Sequence, residues 1–547
     1  MSSATPPGPS RARRLPLAGV LRLGRPSDIW FKPALSVVVA VAPPNLTLLA
    51  IGRLDLAMYT MAGSLCALYA HSRPYAARAR ALAWVVAGML GGLGVALVTA
   101  SLTTNAVLLV TVGALLAAAQ KTLCDATRIG PPGPVVLSFI SSASLFVPQT
   151  LGQVPGHLAL GAAAGAWAWI VGMAPGLVRP HGPERRATAY ALNTAAVSVG
   201  APYDTRARAA AAAAVHAAWQ SLLSAGARSG PRRALERLVV RAEVALAAPA
   251  ATEPERLRRW ARELSGAGPV PRPDGLGDAA DELLGVEAAL PFGPRPLLGR
   301  LAPLAPIVLR TALGCALAGY VSLALGVGRP YWALVTAASL YQANVTLTWS
   351  RGVQRVVGNL VGVLAFAVLA PLAHVGQAVL VLCCLALNFG AEALIGRNYW
   401  LGSVCVTPMA LLITEFAHAQ QPGRLITDRV LDTLVGALVG FVAAVAVTDR
   451  RAGDRIEEAL STVVRAREHA TGLLAEEHPE SGALESARRG LSAAVVDLRS
   501  VTDAASGEWW RRALPEERVM RAEQAGHRTL AATVRRQGLH CREGAQA

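Results

Sequence analysis

The residues of this sequence that could do chemistry are arginines, carboxylates and amides set inside long apolar runs. In the later half Arg310, Arg355 and Arg429 stand within or at the edge of such runs, and so do Gln342, Asn344, Asn388, Glu392 and Asp432. Each ionisable group costs about 2.5 to 3.5 kcal/mol at the centre of a membrane span, so those retained there need a reason. An arginine can hold a carboxylate through two parallel hydrogen bonds, and a carboxylic acid in an apolar setting can take up and release a proton. Tyr331 and Trp332 could stack on an aromatic ring. Asn388 and Glu392, and Asp428 and Asp432, are spaced four residues apart, so each pair shares a helix face. Two readings stay open. In one, an arginine binds an organic anion while Glu392 or Asp432 carries a proton; in the other, these groups form salt bridges between spans or snorkel to an interface.

Other chemistry finds little support. Lys32 and Lys121 are the only lysines, and neither follows the glycine-rich loop that a phosphate cradle needs. There is no GxSxG elbow and no HExxH pair. Six of the seven cysteines lie in or beside apolar segments without the spacing of metal ligands, and read as small buried hydrophobes. No cofactor, metal or enzymatic activity is expected. The net charge of +17 does not indicate nucleic acid, because the arginines lie in loops and polar helices beside apolar runs, where they set topology and meet anionic lipid.

The elements that must position these groups are apolar helices. Of 547 residues 53% are hydrophobic and 16% charged, and the apolar ones gather in runs near the ~17 to 25 residues of a span. Six fall in 29–178, at about 29–52, 55–71, 81–101, 104–124, 133–149 and 156–178; the second and fifth are short. Six more fall in 301–448, at about 303–326, 331–346, 353–373, 376–396, 399–415 and 425–447. The halves look alike: Thr60, Ser64, Leu65 and Tyr69 lead to Arg78, Arg80, Gly88, Gly91 and Gly92, and Thr336, Ser339, Leu340 and Tyr341 lead to Arg351, Arg355, Gly358 and Gly362. Six spans each makes them parallel repeats. Pro43–Pro44 removes two backbone donors from the first span, and is either a break that offers carbonyls to a substrate or a packed kink.

The remaining segments are polar and helical by pattern: 179–300, with a Gly/Pro linker at 266–278, and 449–547, where Trp509 and Trp510 could pack on the helices or dip into lipid. Residues 1–28 form a basic, proline-rich tail without a cleavable apolar core. Arg73, Arg78, Arg80, Arg128, Arg351, Arg355 and Arg397 on one side outnumber Arg53, Arg329 and Arg424 on the other, which puts both termini and the polar regions in the cytoplasm.

The stretch from Arg329 to Gly362 resembles the fusaric-acid-resistance-like (FUSC) membrane proteins, which include aromatic acid exporters. Pro330–Tyr331–Trp332, a basic loop with Arg355, and Gly358 with Gly362 carry the resemblance; Asn359 departs from it, standing where a small hydroxyl residue is expected. Arg429 and Asp432, followed by Thr433, Leu434, Val435 and Gly436, match the opening of the family's last span. The resemblance implies an all-α, multi-pass protein of the plasma or inner membrane that exports aromatic or other small organic acids, driven by protons or by the membrane potential. It also makes Arg429 and Asp432 candidates for a pairing or proton-coupling site. The expected partners are the lipid bilayer and a small organic anion, with homo-oligomers left open and no nucleic acid. Two alternatives stand beside export: a non-transporting scaffold whose polar helices bind a partner, and a passive anion channel.

Overall fold

The computed structural model describes residues 15–24, 29–201, 204–225, 229–247, 252–266, 268–271, 304–373, 375–416, 421–447, 452–477, 479–480, 482–507 and 515–543. The linker beyond residue 271, most of the amino-terminal tail, and Trp509 and Trp510 lie outside these. The described chain is helical, with no strand among the described residues.

The chain is a polytopic α-helical membrane protein. Its first apolar half contains α1 (Phe31–Ala50), α2 (Ala57–Ser64), α3 (Tyr75–Leu102), α4 (Ala106–Thr127), α5 (Pro134–Ser144) and α6 (Val154–Met173), with the short α7 (Pro175–Val178) behind α6. Polar helices α8 (Gly182–Gly200), α9 (Thr205–Ser224), α10 (Gly230–Ala247) and α11 (Pro254–Ser265) follow. The second apolar half contains α12 (Ala305–Ala324), α13 (Tyr331–Leu340), α14 (Val345–Ala373), α15 (Gln377–Ile395), α16 (Tyr399–Thr414) and α17 (Pro422–Ala446). Polar helices α18 (Ala452–Ala475), α19 (Ala483–Ser506) and α20 (Glu516–Glu543) complete the chain.

All twelve expected apolar segments are helical, but eight are long and apolar enough to cross a membrane and four are not. The short ones occupy the second and fifth places of both halves. At ~1.5 Å per residue the ten residues of α13 reach about 15 Å, half of a ~30 Å hydrocarbon core. Every residue of α13 is buried, so protein rather than lipid surrounds its backbone ends. Composition could not separate these from full spans, because a helix wrapped in apolar helices is as apolar as one wrapped in lipid.

Small residues bring the short helices onto their neighbours. A Cβ on Gly436 of α17 would lie 2.4 Å from the Ala333 carbonyl oxygen of α13, and one on Gly63 of α2 would lie 2.1 Å from the Gly161 oxygen of α6. Gly358 and Gly362 of α14 sit in the same way against Trp400 and Val404 of α16, where Asn359 accepts a 2.7 Å hydrogen bond from Thr407. The halves then pack reciprocally: α1 lies against α15, and α4 against α12.

Pro43 and Pro44 do not break α1, which is continuous through them. The Val39 carbonyl, deprived of its amide donor by Pro43, accepts a 3.0 Å hydrogen bond from the Trp167 indole of α6. The prolines are therefore accommodated by packing, and neither lines the large cavity described below.

The two polar regions, separate in sequence, form one helical body: α9 packs on α19 and α10 on α20. At their seam the Arg488 guanidinium bonds Glu485 and Glu243, Arg489 bonds Glu485 at 2.7 Å, and Trp219 donates to Glu243 at 3.1 Å. Arg489 also lies 4.5 Å from the Trp219 ring centroid.

Gly436→Ala should lower the thermal midpoint by the equivalent of about 1 to 3 kcal/mol, because the methyl meets backbone. Gly88→Ala, whose Cβ meets nothing within 4 Å, should leave it unchanged or raise it; equal effects would contradict the packing. In the polar body, burial and the Arg208 charge lower the His527 imidazole from 6.5 to about 4. The folded state then binds fewer protons than the unfolded one, so stability is complete above pH 6.5 and declines toward pH 4. Circular-dichroism melts should show that decline, and His527→Gln should reduce it.

Candidate functional site

A cavity of about 1500 Å³ lies between the two halves, walled by segments of both. Of the residues singled out from sequence, Tyr331, Gln342, Arg355, Asn388, Glu392 and Arg429 line it. Arg310, Trp332, Asn344 and Asp432 do not.

Arg429 projects from α17 toward α13. It is 1% exposed, and its Nε and Nη1 have no hydrogen-bond partner among the described residues. Its guanidinium carbon lies 4.9 Å from the Trp332 ring centroid, and that of Arg329 lies 5.3 Å from the same ring. Trp332 is thus a platform beneath two cations rather than a wall of the cavity. Tyr331, its neighbour in α13, does face the cavity, with Phe146 of α5 5.7 Å away.

Arg355 comes from α14 and is 4% exposed. Its Nη1 donates to the Tyr399 hydroxyl at 3.0 Å, while its Nε has no partner among the described residues. Arg351 lies 4.0 Å from the centroid of the Tyr399 ring, so one tyrosine serves two guanidiniums, through its oxygen and through its face. Sequence reasoning missed Tyr399. A signal was present: Arg397–Asn398–Tyr399–Trp400 repeats Arg329–Pro330–Tyr331–Trp332, and each opens a short apolar helix.

On α15, Asn388 and Glu392 share the cavity-facing side as their spacing predicts. Asn388 donates back to the Cys384 carbonyl at 3.1 Å, and no hydrogen bond is made by the Glu392 carboxylate among the described residues. Across the cavity the first half supplies Lys121 and Asp125 of α4, paired at 2.7 Å.

The four that stand apart have other partners. Arg310 donates through Nε to the Val447 carbonyl at the end of α17. Asp432, one helical turn from Arg429, accepts a 2.5 Å hydrogen bond from Ser322 of α12. Asn344 caps α14 by accepting from the Leu347 amide at 2.9 Å. A Cβ on Gly507, at the end of α19, would lie 2.3 Å from the Asn344 amide group, and Thr346 donates to the Gly507 carbonyl through its amide at 3.0 Å and its hydroxyl at 2.8 Å. The non-helical link Tyr341–Asn344 therefore touches the cavity through Tyr341 and Gln342 and the polar helical body through Asn344.

Sequence also gave no sign of the role of residues 15–24. Their backbone forms a strap across α14 and α16: Gln354 and Asn398 donate to the Val20 carbonyl at 2.9 and 3.0 Å, Trp400 donates to Leu21 at 3.2 Å, and the Gly24 amide donates to Arg397 at 2.8 Å. Gln354, Arg397 and Asn398, which the strap bonds, also line the cavity.

Residues 316–443 match the family model described as Fusaric acid resistance protein-like. The match covers most of the second apolar half and contains Tyr331, Arg355, Tyr399, Glu392 and Arg429. A Bacillus subtilis (strain 168) chain named Uncharacterized membrane protein YvaC is 32% identical over 196 residues, which is 34% of this chain and 29% of that one. The chain thus matches under a third of the length of this curated relative. No solved structure matches.

Removing the Tyr399 hydroxyl should leave a second buried guanidinium donor without a partner. Tyr399→Phe is expected to destabilise the protein by about 1 to 3 kcal/mol, read as a lower unfolding midpoint in detergent; an unchanged midpoint would show that the Arg355 contact carries no weight.

Proposed function

We propose that the chain is a membrane transporter that exports small organic anions, aromatic or other small organic acids, across the plasma or inner membrane. The observation that carries this reading is Arg429: a buried guanidinium with unfilled donors, beside a large cavity between the two apolar halves. Such a charge costs several kcal/mol to bury alone, and a visiting carboxylate compensates it in the bidentate geometry that arginine favours. Tyr331 and Phe146 supply a wall for a ring.

In this reading 29–178 and 301–448 are parallel six-segment repeats, and the polar helices of 179–300 and 449–547 lie with both termini in the cytoplasm, where the arginine bias places them. Glu392, facing the cavity, and Asp432, one turn from Arg429, are the proton carriers, and transport is driven by protons or by the membrane potential. Catalysis has no part in it. Export of a similar kind fits the family description matched over 316–443.

The single helical body formed by the two polar regions favours one further reading, a scaffold whose polar helices hold a partner. Uptake of labelled benzoate into inverted vesicles decides between them. Transport should fall at least about tenfold in Arg429→Gln at equal membrane abundance, a loss of about 1.4 kcal/mol. In Glu392→Gln it should lose its response to an imposed proton gradient. Equal uptake by parent, Arg429→Gln and empty vesicles would favour the scaffold; flux that ignores the proton gradient in the parent and follows the anion's electrochemical gradient would make the protein a channel.

A further inference from the structure

We propose that the cavity selects ring-bearing dianions, aromatic acids carrying two negative charges, over monoacids. The inference rests on the anion-binding reading of the same cavity and narrows its substrate class.

Eight arginine or lysine side chains line the cavity against three carboxylates, those of Asp55, Asp125 and Glu392. Two of the three are already engaged: Asp55 pairs with Arg53 at 3.0 Å and Asp125 with Lys121 at 2.7 Å. Asp428 and Asp432, the acids that flank Arg429 on α17, both lie outside the lining, and Asp432 is held by Ser322.

Three of the eight cations gather around Tyr399. Arg355 and Arg429 come from different helices, α14 and α17, yet lie within electrostatic reach of each other and of Tyr399. Both are almost wholly buried and both keep unfilled donors, Nε on Arg355 and Nε with Nη1 on Arg429. Arg351 adds a third guanidinium over the Tyr399 ring. A monocarboxylate that engages one guanidinium in a bidentate pair leaves the other buried and uncompensated, and two like charges held close together repel. An anion with two acid groups removes both penalties in one binding event.

The walls and the size supply the rest of the description. Phe139, Phe146, Ile140 and Tyr331 make an apolar side on which a ring can lie. A volume of about 1500 Å³ exceeds the roughly 300 to 1,000 Å³ usual for small-molecule sites, so a diacid meets no steric bar that a monoacid escapes.

The test is equilibrium binding to the purified full chain in detergent by titration calorimetry, at pH 7.5 and fixed ionic strength. The probes are benzoate, benzene-1,3-dicarboxylate, benzene-1,4-dicarboxylate and the ringless diacid adipate. The better benzenedicarboxylate should bind at least about tenfold more tightly than benzoate and more tightly than adipate. Arg429→Gln should cost that dicarboxylate at least about tenfold more than it costs benzoate. If this variant is not monodisperse on gel filtration, Arg355→Gln gives the same comparison. Benzoate binding as tightly as either dicarboxylate, or equal losses for mono- and diacid in the variant, would overturn the inference while leaving the anion-binding reading in place. Binding of none of the four acids by the parent would overturn both.

Discussion

Burial of arginine side chains without carboxylate partners is the constraint on which the rest of this structure depends. Arg429 and Arg355 are held in the interior by aromatic groups: the Trp332 face beneath one, and the Tyr399 hydroxyl beside the other. Aromatic faces and phenol oxygens stabilise a cation without cancelling its charge, so the guanidiniums stay available to an anion. A carboxylate in the same place would have closed the site. That Asp432 is turned to Ser322 instead of reaching across to Arg429 is consistent with this arrangement.

The backbone geometry serves the same end. Short helix α13 buries its aromatic pair, Tyr331–Trp332, inside the protein, and short helix α16 turns Tyr399 to the cavity. They can be short only because long helices enclose them, and the enclosure depends on glycine: Gly436 against α13, and Gly358 and Gly362 against α16. Packing, helix length and site chemistry are thus tied to the same few residues. The link Tyr341–Asn344 extends the connection to the polar helical body, because it faces the cavity at Tyr341 and Gln342 and meets Gly507 at Asn344.

Much of this was legible in the sequence. The apolar runs located all twelve helical segments, and the cost of intramembrane charge singled out Arg355, Arg429 and Glu392. The rest was hidden for physical reasons. A helix sheathed by protein has the composition of one sheathed by lipid, so composition alone does not set the fully buried α13 apart from a span. Arg310 and the 15–24 strap are bonded through main-chain carbonyls, which every residue type offers. Asn344 resembled a buried functional amide, but an asparagine just ahead of a helix is first of all a cap. The contact between Glu243 and Arg488 joins residues 245 apart in sequence, a distance that no local pattern reports.

The most direct test is to see where an acid sits. An experimental structure of the protein with an iodinated benzenedicarboxylate would locate the ligand by its iodine. The account predicts the ligand between α14 and α17, with carboxylate oxygens within about 3 Å of unfilled donors on Arg429 and Arg355. A ligand bound elsewhere, or an Arg429 side chain paired with Asp432 while the cavity holds no acid, would contradict it.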